Sequence, residues 1–260
     1  MVTHMTTWLK QWLFVSGLYL FSSPYLWAAD YSGIIAQVKP SVVAIANYQP
    51  LAAPRTRFVG TGFVVADGRH VITNAHNIPE FLDPEKKESL AVVVPGEERT
   101  SVRLATVIAQ DKIHDIAILK FSDAPLPALK LGASEDVREG QEFLITGFPI
   151  GGVLGYHVVT HKSMVSAITP VVQPVVNSRQ LNPRMLKRML SDYKVFQLDA
   201  IAYPGNSGSP VYDMETGAVI GVLNSVFVKG TKEMAIERPS GISYAIPVVY
   251  AKELLKSAGL

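Results

Sequence analysis

The sequence predicts an all-β protein built from two antiparallel units, either barrels or sandwiches. Short segments rich in Val and Ile recur along the chain, and Gly, Pro, Asp and Asn separate them, as is typical of strands joined by turns. A stretch rich in Pro, Gly and charged residues, 123–140, divides the segments into two sets. No regular alternation of strands and helices appears, so a parallel sheet is not expected.

The predicted strands follow this division. The first set comprises residues 42–47, 58–66, 70–73, 91–94, 101–109 and 116–121. The second set comprises residues 142–147, 156–168, 195–200, 218–224 and 242–246.

Helices are few. Residues 247–260 place Pro247 at a first-turn position, with Val248, Ala251 and Leu255 following at helical spacing. A second helix is predicted within 181–193, where Asn182 and Pro183 form a start signal. Its apolar stripe consists of Met185, Leu186, Met189 and Leu190. Such a stripe favours packing on a barrel, and an activity switch or a docking surface is the alternative.

Composition excludes several function classes. The chain has 260 residues, 48% of them hydrophobic, enough for one large domain or two small ones. A net charge of +2 gives no indication of a nucleic-acid partner. The chain has no cysteine, which excludes disulfides, thiolate metal sites and a cysteine nucleophile. Neither a metal-ligand spacing nor a phosphate-binding loop is found, so we expect no metal and no cofactor.

The first 29 residues have the pattern of a secretory signal. Lys10 is the single charged residue before Asp30, residues 12–21 are mainly apolar, and Ala28 and Ala29 form a small-residue exit. The sequence therefore predicts export with residues 1–29 as a signal peptide. Residues 11–29 carry no charge, so an uncleaved membrane anchor is the alternative.

One stretch raises the question of chemistry. Residues 203–210, YPGNSGSP, form either a plain turn or a tight loop that holds one reactive hydroxyl, that of Ser207. A serine becomes a nucleophile when a histidine, itself oriented by a carboxylate, takes its proton. His76 ends a predicted strand, and Asp115 immediately precedes another. Each has an ordinary structural explanation alone, but the chain order His, Asp, Ser matches the chymotrypsin-type template.

Several motifs resemble those of the trypsin-like serine proteases, and most of all the HtrA/Deg-type bacterial quality-control proteases. The motifs are TGFVV (61–65), VITNAH (71–76), DIAILK (115–120), MVSAI (164–168), QLDAIAYPGNSGSPV (197–211) and ISYAIP (242–247). The resemblance covers roughly residues 31–257. It implies two six-stranded antiparallel β-barrels, with residues 30–132 carrying His76 and Asp115 and residues 133–260 carrying Ser207.

The resemblance also implies roles for individual residues. Asp115 orients His76, which acts as general base and then acid, while Ser207 attacks the scissile carbonyl. The oxyanion hole is formed by the backbone N–H groups of Gly205 and Ser207, with Asn206 shaping the loop. The residues expected to line the primary substrate pocket are Ala200, Ile201 and Ala202 on one wall and Asn224, Ser225 and Val226 on the other. No acid stands at its base, so cleavage after Val, Ala, Ile or Leu is expected.

The implied function is a serine endopeptidase that acts on proteins or peptides in the bacterial periplasm, or anchored to the inner membrane if residues 1–29 are retained. Proteases of this type usually carry a peptide-binding PDZ domain after the barrels, and here a form without one is expected. Relatives of this type often form trimers through the segment equivalent to residues 31–45. The alternative is a catalytically latent relative that binds or regulates. Two departures motivate it: Ser209 replaces a glycine of the usual GNSGGP pattern, and the segment 169–194 is long.

Overall fold

The computed structural model describes residues 30–96, 100–151, 155–170, 193–201, 203–224 and 241–260. The strands close into two six-stranded barrels in which every neighbouring pair is antiparallel. The all-β, two-barrel fold expected from the sequence is confirmed.

The first barrel has the strand order β1-β2-β3-β6-β5-β4. Its strands are β1 (Val42–Tyr48), β2 (Thr56–Val65), β3 (His70–Asn74), β4 (Ser89–Val94), β5 (Ser101–Asp111) and β6 (Ile116–Phe121). The second barrel has the order β10-β11-β12-β9-β8-β7. Its strands are β7 (Glu142–Gly147), β8 (Val159–Pro170), β9 (Lys194–Asp199), β10 (Pro210–Tyr212), β11 (Val219–Asn224) and β12 (Ile242–Pro247).

Three apolar clusters explain why the sequences of several strands are continuously hydrophobic. Val43 and Ile45 point into the first barrel with Val71 and Leu119, whereas Val42, Ala44 and Ala46 belong to a cluster shared with the second barrel. A third cluster, which includes Phe143, Val165 and Leu198, fills the second barrel. Because both faces of β1 are covered, its residues are apolar without the alternation of a half-exposed strand. The shared cluster fixes the two barrels against each other.

Two helices flank the barrels. Helix α1 (Ser32–Val38) packs on the second barrel, where a Cβ added at Gly217 would lie 2.9 Å from Ile34 Cδ1. Helix α2 (Val248–Ser257) begins after Pro247 and buries Val248, Ala251 and Leu255, as its spacing predicted. It packs against β5 and β6 of the first barrel as well as β11 and β12 of the second. Neither helix, nor any other in the described part of the chain, is long and apolar enough to cross a membrane.

Two elements of the fold were not expected from the sequence, and one expected helix cannot be compared with the structure. Helix α1 and the three-residue strand β10 were not predicted, because the helix has no side-chain cap and the strand is shorter than a recognisable pattern. The helix predicted within 181–193, with its stripe, lies outside the described residues except for Tyr193.

Candidate active site

His76 and Asp115 are brought together by the pairing of β3 with β6. His76 lies in a one-turn 3₁₀ helix, Ala75–Asn77, directly after β3, and Asp115 immediately precedes β6. Asp115 has a left-handed backbone conformation with φ of 57°. Its carbonyl oxygen accepts hydrogen bonds from the Ala75 N–H at 3.0 Å and from Asn74 Nδ2 at 3.1 Å. These two bonds hold an unfavourable backbone conformation in place.

The Asp115 carboxylate accepts a hydrogen bond from three different N–H groups. Oδ1 accepts from the His76 backbone N–H at 2.9 Å, and Oδ2 lies 2.7 Å from His76 Nδ1. Asn224 Nδ2 donates to Oδ2 at 2.7 Å. A carboxylate facing Nδ1 favours the imidazole tautomer that carries its proton there. In that tautomer, Nε2 has a lone pair with which it can accept a proton.

The loop that carries Ser207 is fixed to the first barrel. The Thr61 N–H donates to the Ser207 carbonyl at 2.8 Å, and Asn77 Nδ2 donates to the same oxygen at 3.0 Å. Thr61 Oγ1 donates to the Gly205 carbonyl at 2.7 Å. Since Asn77 directly follows His76, the loop that carries Ser207 is anchored beside the candidate base.

Two glycines in this loop have conformations that other residues rarely adopt. Gly205 has φ of 100° and Gly208 has φ of 89°. A Cβ at Gly208 would lie 2.0 Å from the Thr61 carbonyl oxygen, so the loop can approach β2 this closely only with glycine there. The Gly205 N–H donates to no backbone carbonyl of the described residues. An oxyanion hole requires backbone N–H groups that can face the substrate beside the attacking hydroxyl.

Ser209 is buried in an unstrained backbone conformation. It does not have a positive φ, so a serine at this position causes no backbone strain of the kind that favours glycine. Its side chain is fully buried, and Oγ has no hydrogen-bond partner among the described residues. It faces Gly147, where an added Cβ would lie 2.0 Å from Ser209 Oγ. Asn206 Oδ1 is likewise buried without a partner nearby.

The residues expected to line the substrate pocket are described only in part. Ala202, Ser225 and Val226 lie outside the described residues. Ile201 is 39% exposed and follows Ala200 at the end of β9. Asn224 is 1% exposed, and its amide is directed to Asp115. The contacts of Asn224, Asn77 and Thr61 were not anticipated from the sequence, because each spans a large separation along the chain.

The residue before Asp115 belongs to an aromatic cluster. The His114 ring stacks on Tyr250 of helix α2, with ring centroids 3.9 Å apart, and meets the edge of Tyr193 at 4.8 Å. His114 Nδ1 also pairs with Asp111 Oδ2. Burial raises the pKa of Asp111, but the hydrogen bonds from the His114 side chain and backbone outweigh it and leave this pKa below its ordinary value. The turn between β5 and β6 is thus held from both of its ends.

The chain is similar to known proteins in sequence. The family profile described as a trypsin-like peptidase domain matches residues 60–222. A probable periplasmic serine endoprotease, DegP-like, from Halomonas elongata is 32% identical over 199 residues, which is 76% of this chain and 34% of the relative. Human serine protease HTRA3 is 29% identical over 242 residues, or 89% of this chain and 45% of the relative. The chain thus spans less than half the length of these two relatives.

A solved structure has a similar fold. The HtrA-type protease AlgW with a decapeptide superposes with a TM-score of 0.64 and 22% sequence identity. The match covers 88% of this chain and 67% of that one. At this identity, the similarity concerns the fold.

Proposed function

Because the chain belongs to the trypsin-like peptidase family, we propose that it is a serine endopeptidase that hydrolyses peptide bonds in proteins. Ser207 is the nucleophile, His76 the general base and Asp115 the residue that orients the base. The observation that carries this assignment is the pairing of His76 Nδ1 with Asp115 Oδ2, next to a loop that Asn77 anchors at Ser207.

The proposed reaction has two halves. His76 Nε2 takes the Ser207 hydroxyl proton as Oγ attacks the scissile carbonyl carbon, and the N–H groups of Gly205 and Ser207 stabilise the developing oxyanion. The imidazolium then gives its proton to the leaving amine, which departs as the acyl-enzyme forms. In the second half, His76 deprotonates a water molecule, whose attack releases the new carboxylate and restores Ser207.

The proposed specificity is for small or medium apolar residues before the cleaved bond. The apolar Ala200 and Ile201 precede the nucleophile loop, at the position where the resemblance puts the wall of the primary pocket. Cleavage of a peptide library with the products identified by mass spectrometry tests this. A dominant preference for basic residues would contradict it.

The proposed location is the bacterial cell envelope. The relative from Halomonas elongata is named as a probable periplasmic protease. The sequence of residues 1–29 has the pattern of an export signal. N-terminal sequencing of the protein from a fractionated cell envelope distinguishes a cleaved signal from a retained anchor. The molar mass from light scattering of the purified protein tests whether it forms a homotrimer.

Active-site labelling tests the catalytic assignment. A fluorophosphonate probe reacts with an activated serine, so the protein is expected to be labelled and its Ser207→Ala variant not. Ser257→Ala is the matched control, since Ser257 is exposed on α2 and bonds the Leu254 carbonyl. Absence of labelling in the folded protein, with no cleavage of casein, would favour the catalytically latent alternative.

A further inference from the structure

An open groove lies at one end of the first barrel, where the β1–β2 connection meets the loop that follows β7. We call it the β1–β2 groove, and its volume is about 560 Å³. The residues that define it are Asn47, Arg55, Arg57, Phe58, Glu88 and Tyr156. Nothing in the proposed catalytic machinery uses them.

Hydrogen-bond donors outnumber acceptors among the polar side chains of the groove. Arg55 and Arg57 are exposed, and neither guanidinium makes an ion pair or a hydrogen bond within the described part of the chain. Asn47 is 8% exposed, and its Oδ1, which is an acceptor, has no hydrogen-bond partner there. The Glu88 carboxylate is already engaged, because its Oε2 accepts the Asp83 N–H at 3.1 Å.

An aromatic wall connects the groove to the nucleophile loop. The Phe58 ring meets Tyr156 edge-on at 6.2 Å, and Tyr156 is fixed by a 3.0 Å hydrogen bond from its hydroxyl to Thr56 Oγ1. On its other side, Phe58 packs against Gly205, where an added Cβ would lie 2.6 Å from Phe58 Cε1. Phe58 therefore contacts the nucleophile loop and lines the groove as well.

We propose that the β1–β2 groove binds a carboxylate side chain of the polypeptide substrate, on the part of the substrate that follows the cleaved bond. The inference rests on the proposed function, because residues 200–202 are assigned there to the part that precedes the bond. Arginine guanidinium groups bind carboxylates through paired N–H donors. Glu88 already carries one negative charge in the groove and disfavours the binding of two more. The groove therefore selects a substrate with a single acidic residue at this position.

Binding without turnover tests this proposal. The Ser207→Ala protein is titrated into fluorescein-labelled octapeptides with blocked termini. Each peptide contains one valine followed by alanines, and a single glutamate replaces the alanine at one of four successive positions after the valine. Glutamine peptides of the same sequence are the reference. Fluorescence anisotropy gives each Kd, at about 0.05 M and about 0.5 M NaCl, since screening weakens exposed ion pairs.

One glutamate position is expected to bind about tenfold more tightly than its glutamine counterpart at low salt, and less so at high salt. Arg55→Gln combined with Arg57→Gln is expected to abolish the preference, whereas Arg138→Gln, an exposed arginine on the second barrel, is expected to retain it. Equal binding of all peptides, no binding of any, or the same loss in Arg138→Gln overturns the proposal. Fluorophosphonate labelling of Ser207 is measured separately. If the groove binds glutamate but the protein is not labelled, the proposed function is contradicted and the proposal for the groove is not.

Discussion

Asn224 Nδ2 donates a 2.7 Å hydrogen bond to Asp115 Oδ2, the same oxygen that faces His76 Nδ1. The two residues are separated by 109 positions in the chain and belong to different barrels. Asn224 thus links the second barrel directly to the carboxylate that orients the candidate base. The family resemblance placed Asn224 in the wall of the substrate pocket. A residue that holds Asp115 and a residue that contacts the substrate have different effects on kcat and KM.

Replacing Asn224 with alanine is expected to lower kcat about 10- to 100-fold with little change in KM. The reason is that a hydrogen bond to a charged group contributes about 1.5–3 kcal/mol, and without it the carboxylate holds His76 less firmly. Steady-state kinetics with substrates that carry valine, alanine or leucine before the bond measure this. If Asn224 acts chiefly through the pocket, KM and the preference among the three substrates will change instead.

The substitution Asp115→Asn is expected to reduce kcat about 10⁴-fold, as it does in the trypsin triad. A carboxamide has one acceptor oxygen, but three N–H groups converge on this side chain. Its NH₂ group would donate to His76 Nδ1 and stabilise the tautomer that cannot accept the serine proton at Nε2. Steady-state cleavage of a peptide substrate gives kcat, and a thermal melt confirms folding. A loss smaller than about tenfold would argue against the assigned role of Asp115.

Gly147 and Ser209 are expected to be energetically coupled. Gly147→Ala places a methyl group 2.0 Å from Ser209 Oγ and should lower the free energy of unfolding by about 1–3 kcal/mol. Ser209→Gly alone removes a buried hydroxyl that has no partner in the described part of the chain, so its cost should be small. In the double variant, part of the Gly147→Ala loss should be recovered, although Asn206 Oδ1 and Thr61 Oγ1 still lie 3.0 and 3.1 Å from the new methyl group.

Urea denaturation of the four proteins of this cycle measures the coupling. Gly33→Ala is the control, because an added Cβ there has no neighbour within 4 Å. Strictly additive effects at 147 and 209 would mean that the serine side chain moves aside without cost.

Asp111 should make the stability of the protein depend on pH. Its folded-state pKa is lowered, since the hydrogen bonds from His114 outweigh the effect of burial. A depressed carboxyl pKa stabilises the fold above the unfolded value of about 3.9, and this contribution is lost as pH falls through the folded value. Asp111→Asn should therefore lower the free energy of unfolding by about 1–2 kcal/mol at neutral pH.

Below about pH 4, the difference between the parent protein and Asp111→Asn should shrink. Urea denaturation across this pH range provides the measurement, and Asp136→Asn, an exposed carboxylate, serves as the control. A difference that stays constant from neutral to acidic pH would rule out this contribution of Asp111.

The sequence predicted what depends on local pattern and on motifs. The membership of a trypsin-like family is confirmed, as are the two barrels and the helix beginning after Pro247. The pairing of Asp115 with His76 follows from the strand contact that DIAILK and VITNAH make. The contacts of Asn77 and Asn224 depend on how one barrel lies against the other, which no local pattern contains. The buried hydroxyl of Ser209 likewise depends on the packing of β7 against its loop.

The stack of His114 on Tyr250 joins the turn before Asp115 to the last helix of the chain. Chains emerge from the ribosome with the N-terminus first, at about 5–20 residues per second, so the turn before Asp115 appears well ahead of α2. Until Tyr250 has emerged, His114 lacks its stacking partner, and Asn224 has not yet reached Asp115. The contacts that hold Asp115 and the turn before it are therefore completed only when the last helix of the chain is available.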